Sequence, residues 1–432
     1  MRTFTEGSEN TMLENTLWML FFMALTAYLG TLVIKKQPKR IWLILMIELA
    51  LICRYAVIFV MYSSGTEASG TDGLIYHQIA KEIAQQLKTG TPLWRVEYKY
   101  TWYTALVGIQ YALFGVNRYV ASFLNAFLAI FSGYLLTGIA LNLKYSFKKS
   151  FTIGLAYVFM PSMMVWTTDT RKESLIFFIA ILIWYLVLKV MQEREWPKYR
   201  QMVYIASICF LLWVSTMLRI YMLFTIGGGI LVGLFFNYLK TKRRFTLVFA
   251  AVIFAACLLV TFNTVLLNMR DYHALPMDRS QGGDEDIDAE ITSIIDIIQQ
   301  RNIPKSVNGF LTEPHIDNVA NITDIAGNYF LVTLVRIEMV FWYGCMILAL
   351  FGFLDAFLKW KPYLLGTMAY IISYSLVNAL ISESVADTYY RYRAAIVAPV
   401  LLFADPYPFI NNLKEIVLGE YGNGISAPRI KG

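Results

Sequence analysis

Charge is scarce in this chain of 432 residues: Asp, Glu, Lys and Arg make up 16% of it, against 57% hydrophobic residues. A soluble domain carries roughly a quarter of its residues as charges, so an ordinary water-exposed globule is excluded. Cysteine and histidine are scarce as well, at four and three. Cys53, Cys209, Cys257 and Cys345 all fall inside apolar runs, with neither metal-ligand spacing nor a disulfide framework. Internal repeats are lacking, so the sequence signature of an inverted-repeat transporter is missing. The N-terminus carries Glu6, Glu9 and Glu14 before the first apolar run and lacks a basic n-region and an obvious small-residue cleavage site. That run reads as a retained helix rather than a signal peptide.

What the chain does have is apolar stretches of about 17–25 residues, long enough as helices to cross a bilayer core of roughly 30 Å. Short basic clusters punctuate them: Lys35-Lys36-Gln37-Pro38-Lys39-Arg40, Lys144 with Lys148-Lys149, Arg194 with Lys198 and Arg200, Lys240 with Lys242-Arg243-Arg244, and Lys359 with Lys361. Placing all of these on one side satisfies the positive-inside rule and orients the chain. The net charge of +7 then reflects anchoring to anionic inner-leaflet lipid, and no nucleic-acid partner is expected. The expected architecture is an all-α polytopic membrane protein of about eleven transmembrane helices, with juxtamembrane helices on the outer face, in the plasma (inner) membrane.

The expected organisation is an N-terminal helix pair over 1–64 and a first outer loop over 65–118. Central transmembrane helices follow over 119–266, then a long outer loop over 267–330. C-terminal transmembrane helices occupy 331–405, and 406–432 form a cytoplasmic tail. Within the first loop, Gly73–Lys88 has Leu74, Ile75, Ile79, Ile83 and Leu87 on one face, the pattern of an amphipathic surface helix. Residues 103–115 are apolar but short, and a crossing there would put every later basic loop on the wrong side. They are expected to lie at the outer surface. In the long loop, Gly282-Gly283 reads as a flexible start and Ile287–Ile298 has helical spacing.

The polar residues assigned to the outer side are where water, lipid headgroups and substrate meet. Asp72, with Tyr76 and His77, opens the first loop and reads either as a helix cap or as a general base. Asp169, Arg171, Lys172 and Glu173 crowd a near-absent loop, with Asp169 a candidate cap and Glu173 a first-turn acid. Arg219 stands at a tight helical turn. Arg391 and Arg393 follow Asp387 before the last helix. These cations run against the positive-inside rule, and arginine's planar fork suits phosphate; the competing reading is interfacial snorkelling beside an aromatic belt. Two positions apart on a helix means about 200° apart, so Arg391 and Arg393 should meet different partners. His77, His273 and His315 all fall on the outer side, where with carboxylates they are candidate ligands for a divalent metal.

These groups, in this order, resemble the GT-C class of polytopic glycosyltransferases, in particular bacterial proteins of the protein-mannosyltransferase and aminoarabinose-transferase type. The resemblance is carried by Asp72, Tyr76 and Ala80; by Leu113-Phe114-Gly115; by Pro161 to Glu173 around Trp166; and by Arg391-Tyr392-Arg393-Ala394-Ala395-Ile396-Val397-Ala398-Pro399. It spans about residues 60–405. Many members carry an acidic pair where this chain has Asp72 followed by Gly73. The resemblance implies transfer of a sugar from a polyprenyl-phosphate donor to a glycan, lipid or protein acceptor outside the membrane. Asp72 would be the base, inversion would occur at the anomeric carbon, and Tyr76, His77, Asp169, Lys172, Arg219, Arg391 and Arg393 would bind substrate. Two other readings stand beside it. One is a polysaccharide polymerase or ligase using a diphosphate-linked glycan. The other is a lipid or glycan transporter, which should place ionisable residues mid-membrane, whereas here the charges are expected at helix ends, with Arg336 and Glu338 the nearest exceptions.

Overall fold

The computed structural model describes residues 8–35, 37, 39–64, 71–96, 102–192, 197–268, 302–321, 329–381, 386–405, 407 and 410. Every regular element among them is helical. In chain order the helices are α1 Ser8–Val33, α2 Arg40–Ser64, α3 Thr71–Lys88, α4 Trp102–Phe114, α5 Arg118–Asn142, α6 Phe147–Phe159, α7 Pro161–Thr167, α8 Glu173–Gln192, α9 Lys198–Leu218 and α10 Tyr221–Thr241. They continue as α11 Arg244–Asn268, α12 Ile303–Thr312, α13 Tyr329–Leu358, α14 Pro362–Ile381 and α15 Ala386–Phe403.

Eight of these are long and apolar enough to cross a membrane: α1, α2, α5, α8, α9, α10, α13 and α14. The pair α6 and α7 adds a ninth if read as one span bent by 50°. The bend falls where Met160 turns extended and Pro161 restarts the helix at its first turn, where its missing N–H costs nothing. The long helices expose large apolar side chains, such as Leu17, Leu20, Phe21 and Tyr28 on α1 and Trp42 and Leu45 on α2. An apolar surface of that extent is stable against lipid rather than water. Helix α4, at 13 residues, is about 20 Å long and too short to cross. It packs closely on α3: a Cβ on Gly108 would lie 2.4 Å from Ile83 Cγ2.

Local sequence explains several of these boundaries. Asn117 caps α5 by accepting from Tyr119 N at 3.0 Å, and Ser146 caps α6 by accepting from Lys149 N at 3.3 Å. Gly229 and Gly233 on α10 face Gly366 on α14. A Cβ on Gly366 would fall 2.6 Å from the Gly229 carbonyl oxygen, so only glycine permits this approach.

The helices alternate so that the basic turns gather at one end of the bundle. There Lys149 Nζ lies 2.6 Å from Asp405 Oδ2 and Lys240 Nζ donates to the Trp360 carbonyl at 3.2 Å. At the opposite end, Asn117 Nδ2 donates to Asn15 Oδ1 at 2.8 Å, joining the starts of α1 and α5. The four cysteines are free thiols. The expected helix over 287–298 and the glycine pair before it lie outside the described residues.

One expectation needs correction. Charges are not confined to helix ends. Glu48 and Arg54 are buried within α2, and Glu338, the exception the sequence had marked, is buried inside α13. Hydroxyl partners let the bundle hold Glu48: Thr26 Oγ1 donates to it at 2.9 Å and Tyr134 Oη at 3.0 Å.

Candidate functional site

The end opposite the basic turns is organised by the segment between α7 and α8, residues 168–172. Its backbone is gripped from α5. Asn125 Nδ2 lies 2.5 Å from the Asp169 carbonyl oxygen and 2.7 Å from that of Arg171, and also 2.8 Å from Tyr103 Oη on α4. Two amide hydrogens thus serve three oxygens. Thr170 Oγ1 donates to the carbonyl of Gly73 at 2.7 Å. This last bond joins the start of α3, where Asp72 stands, to the turn. The side chain of Asp72 lies outside the described residues, as does that of Asp387.

Asp169 is not the cap of α8. Its Oδ1 accepts from Arg171 N at 2.7 Å, an Asx turn over its own second neighbour, and α8 begins only at Glu173. Its Oδ2 lies 3.3 Å from Arg171 Nε, and both side chains are buried. Burial pushes the Asp169 carboxyl up to about 6, against the pull of Arg171, its backbone N–H and Arg118. Arg171 also stacks over Trp166, 5.0 Å from the ring centroid.

Glu173 is the hub. Its Oε1 accepts from Arg219 Nη2 at 2.9 Å, from Arg391 Nε at 2.7 Å and pairs with Arg391 Nη2 at 2.6 Å. One carboxylate oxygen therefore holds together guanidiniums from the α9–α10 turn and from α15. Arg219 is braced further by Tyr221 Oη at 2.7 Å and lies 4.1 Å from the Tyr392 ring centroid. Lys172 Nζ donates to the Leu218 carbonyl at 3.4 Å, next to Arg219 in sequence. The side chain of Glu173 is 1% exposed and that of Arg391 17%, so the cluster opens to its surroundings on the Arg391 side.

Arg393 belongs to a different neighbourhood. It donates to the Glu313 carbonyl, lies 5.0 Å from the centroid of Trp342 and 5.5 Å from that of Tyr390. Tyr390 Oη donates to Glu338 Oε2 at 2.8 Å, and the same oxygen accepts from Ser162 N at 2.6 Å at the start of α7. Glu338 thus holds the bend in the α6–α7 span, and Arg393 lies beside its partner Tyr390. The two arginines of the Arg-Tyr-Arg segment diverge, as helical spacing requires.

Tyr76 and His77 sit in the α3–α4 pair. Tyr76 is buried with its ring 5.9 Å from Tyr103, and so reaches Asn125 and the 168–172 turn at one remove. His77 Nδ1 lies 2.9 Å from Tyr111 Oη. His315 Nε2 lies 3.2 Å from Glu313 Oε1, and His273 lies outside the described residues. Among the described residues no three His, Cys, Asp or Glu side chains group as metal ligands.

Asp169, Lys172, Arg219 and Arg391 thus gather around the start of α8, with the start of α3 bonded to the same turn. Arg393 and His77 have partners of their own. Sequence reasoning missed Glu173 as the hub, and missed Asn125, Tyr221 and Tyr392. The one local signal for Glu173 is its place beside Arg171 and Lys172, where it reads as an ordinary first-turn acid. No protein-family model matches this chain and no curated protein matches it, so the functional argument rests on these residues.

Proposed function

We propose that this protein is an integral-membrane glycosyltransferase that moves a sugar from a polyprenyl-phosphate donor to an acceptor at the outer face of the membrane. In this reading α11 and α15 complete eleven crossings, and the basic turns face the cytoplasm. The observation that carries it is the junction at residues 168–173. There the α3 start that bears Asp72 is bonded to a turn whose end, Glu173, clasps Arg219 and Arg391.

The chemistry follows from what such a transfer needs. The leaving group is a lipid phosphate, which must be met by cations near the membrane surface, since charge is costly deeper in. Arg391, the more open of the pair, is the first contact for phosphate and Arg219 the second. Glu173 holds both in place before the donor arrives, which spares reorganisation during reaction. The acceptor hydroxyl attacks the anomeric carbon from the face opposite the phosphate, giving inversion. Asp72 takes its proton, a contribution of about 10²–10⁴-fold. Lys172 adds positive charge beside Arg219. Asp169, buried in its Asx turn, shapes the segment rather than meeting substrate, and Arg393 lies beside Tyr390, whose partner Glu338 steadies the bend at Pro161.

The test is transfer in proteoliposomes carrying a panel of radiolabelled polyprenyl-phosphate sugars, with product and released lipid phosphate both followed. Turnover that requires the monophosphate donor supports the reading. Turnover only with diphosphate-linked oligosaccharide moves the protein to the polymerase or ligase class. Uptake of intact lipid or glycan without bond cleavage moves it to transport, a reading for which buried Glu48 and Arg54 on α2 speak.

A further inference from the structure

At the basic end of the bundle, far along α8 and α10 from the Glu173 cluster, lies a cavity of about 290 Å³. This is near the lower end of the roughly 300–1,000 Å³ typical of small-molecule sites. It is bounded by the α5–α6 turn, the last turns of α8 and α10, and the first turn of α14. Its polar lining is Asn142, Lys144, Gln192, Asn237, Lys240 and Lys361, and its floor includes Leu188, Met191 and Leu364. We propose that this cavity is a binding site for an anionic phospholipid, its phosphate held by Lys144 and Lys240 beside the Lys361–Asp355 pair and its first acyl carbons lying on the apolar floor.

Lys144, Lys240 and Lys361 reach this one cavity from three separate elements. The surrounding carboxylates are already engaged: Asp355 takes Lys359 at 2.9 Å and Lys361 at 2.5 Å, and Asp405 takes Lys149 at 2.6 Å, so an added phosphate is met by Lys144 and Lys240. Lys240 donates to the Trp360 carbonyl at 3.2 Å, which aims it along the cavity rim, and Lys144 stands exposed on the adjoining turn. The amides already brace the walls. Asn142 Oδ1 accepts from Lys189 at 3.0 Å and its carbonyl accepts from Gln192 Nε2 at 2.7 Å. The rim is therefore pre-formed. A basic pocket between helices at the headgroup level is the setting in which anionic headgroups are recognised. A soluble phosphate compound would have no use for the apolar floor, which is why the lipid is the occupant.

The experiment uses the full chain in nanodiscs of phosphatidylcholine with increasing phosphatidylglycerol, and counts retained lipid by native mass spectrometry. A basic residue near an anionic surface contributes about 1 kcal/mol, or about fivefold in affinity. Lys144→Gln, an exposed turn substitution that leaves packing intact, should weaken phosphatidylglycerol retention about fivefold. Lys144→Gln with Lys240→Gln should weaken it about 25-fold, while Lys144→Arg with Lys240→Arg keeps it. Lys88→Gln on α3, away from the cavity, should change nothing. Retention by both glutamine variants equal to the parent overturns the proposal. So does inorganic phosphate displacing the lipid as effectively as added phosphatidylglycerol. Neither result depends on sugar transfer at the other end.

Discussion

Neutralising Glu173 removes the one carboxylate among the described residues that is seen to pair with both Arg219 and Arg391. Glu173→Gln keeps the side chain's length and one oxygen acceptor but deletes its charge. Two guanidiniums whose nitrogens both lie within 2.9 Å of one oxygen are then left facing each other. The carboxylate is 1% exposed and Arg219 8%, so water screens little of this repulsion. Breaking a buried ion pair from one side costs about 3–5 kcal/mol. Unfolding entropy of about 2.1 cal/mol/K per residue over 432 residues comes to roughly 0.9 kcal/mol/K. The melting temperature should therefore fall by about 3–6 °C. A larger fall follows if helices persist in the unfolded state, because the entropy is then smaller. Glu173→Asp restores charge at shorter reach and should recover part of the loss. The assay is thermal unfolding in nanodiscs, repeated with a polyprenyl monophosphate, which should stabilise Glu173→Gln more than the parent by supplying the missing negative charge. A Glu173→Gln variant that melts within 1 °C of the parent would refute the reasoning: the carboxylate would then be worth less than about 0.9 kcal/mol, close to the range of a surface substitution.

Asp72→Asn should abolish transfer while leaving donor binding and melting temperature near the parent's, and near-parental turnover would reduce Asp72 to a helix cap. Asn125→Ala frees the carbonyls of residues 169 and 171 and should cost about 1–3 kcal/mol for groups left unsatisfied, read as a lowered melting temperature together with loss of transfer. Asp169 binds its proton in the folded protein up to a pH of about 6, above the unfolded value near 3.9. The folded state then holds the extra proton between those values, so this group's contribution to stability falls as pH rises from about 4 to 6. Subtracting the Asp169→Asn profile from the parent's should reveal that fall, and superimposable profiles would place the titration elsewhere. An impermeant thiol reagent on intact cells should label a cysteine replacing Lys88 but not one replacing Lys242, and the reverse pattern would invert the orientation.

The helical, multi-pass character was legible because two strong physical constraints shape it. Long apolar runs are needed to fill a bilayer, and interrupting charge must leave it. Periodicity alone separated Arg391 from Arg393, since a helix turns about 200° over two residues. The partners themselves were not legible. Glu173 reads as an ordinary first-turn acid until folding brings Arg391, 218 positions away, onto the oxygen that Arg219 already shares. Asn125 is one polar residue inside an apolar run, and its grip on the 168–172 turn is wholly tertiary. Glu338 stands out in sequence as an exception to charges at helix ends, but its partners, Ser162 N and Tyr390 Oη, come from distant segments. Glu48 was passed over for a related reason: an apolar helix tolerates a carboxyl when hydroxyls such as Thr26 and Tyr134 arrive from neighbouring helices, and no local pattern reveals them. The close contact of α10 with α14 at Gly229 and Gly366 is equally a property of two distant segments.

The central claim is that the Arg219–Arg391 pair, set by Glu173, receives a lipid phosphate. Equilibrium binding of a long-chain polyprenyl monophosphate to the protein in nanodiscs tests it most directly, with Arg391→Ala, Arg391→Lys and Arg219→Ala beside the parent. A charge-assisted hydrogen bond is worth about 1.5–3 kcal/mol. Saturable binding should therefore weaken about 10–100-fold in each alanine variant, and less in Arg391→Lys, which keeps the charge without the planar fork. Binding by all three variants equal to the parent's would contradict the account and put the phosphate, if one is bound, at another place in the molecule.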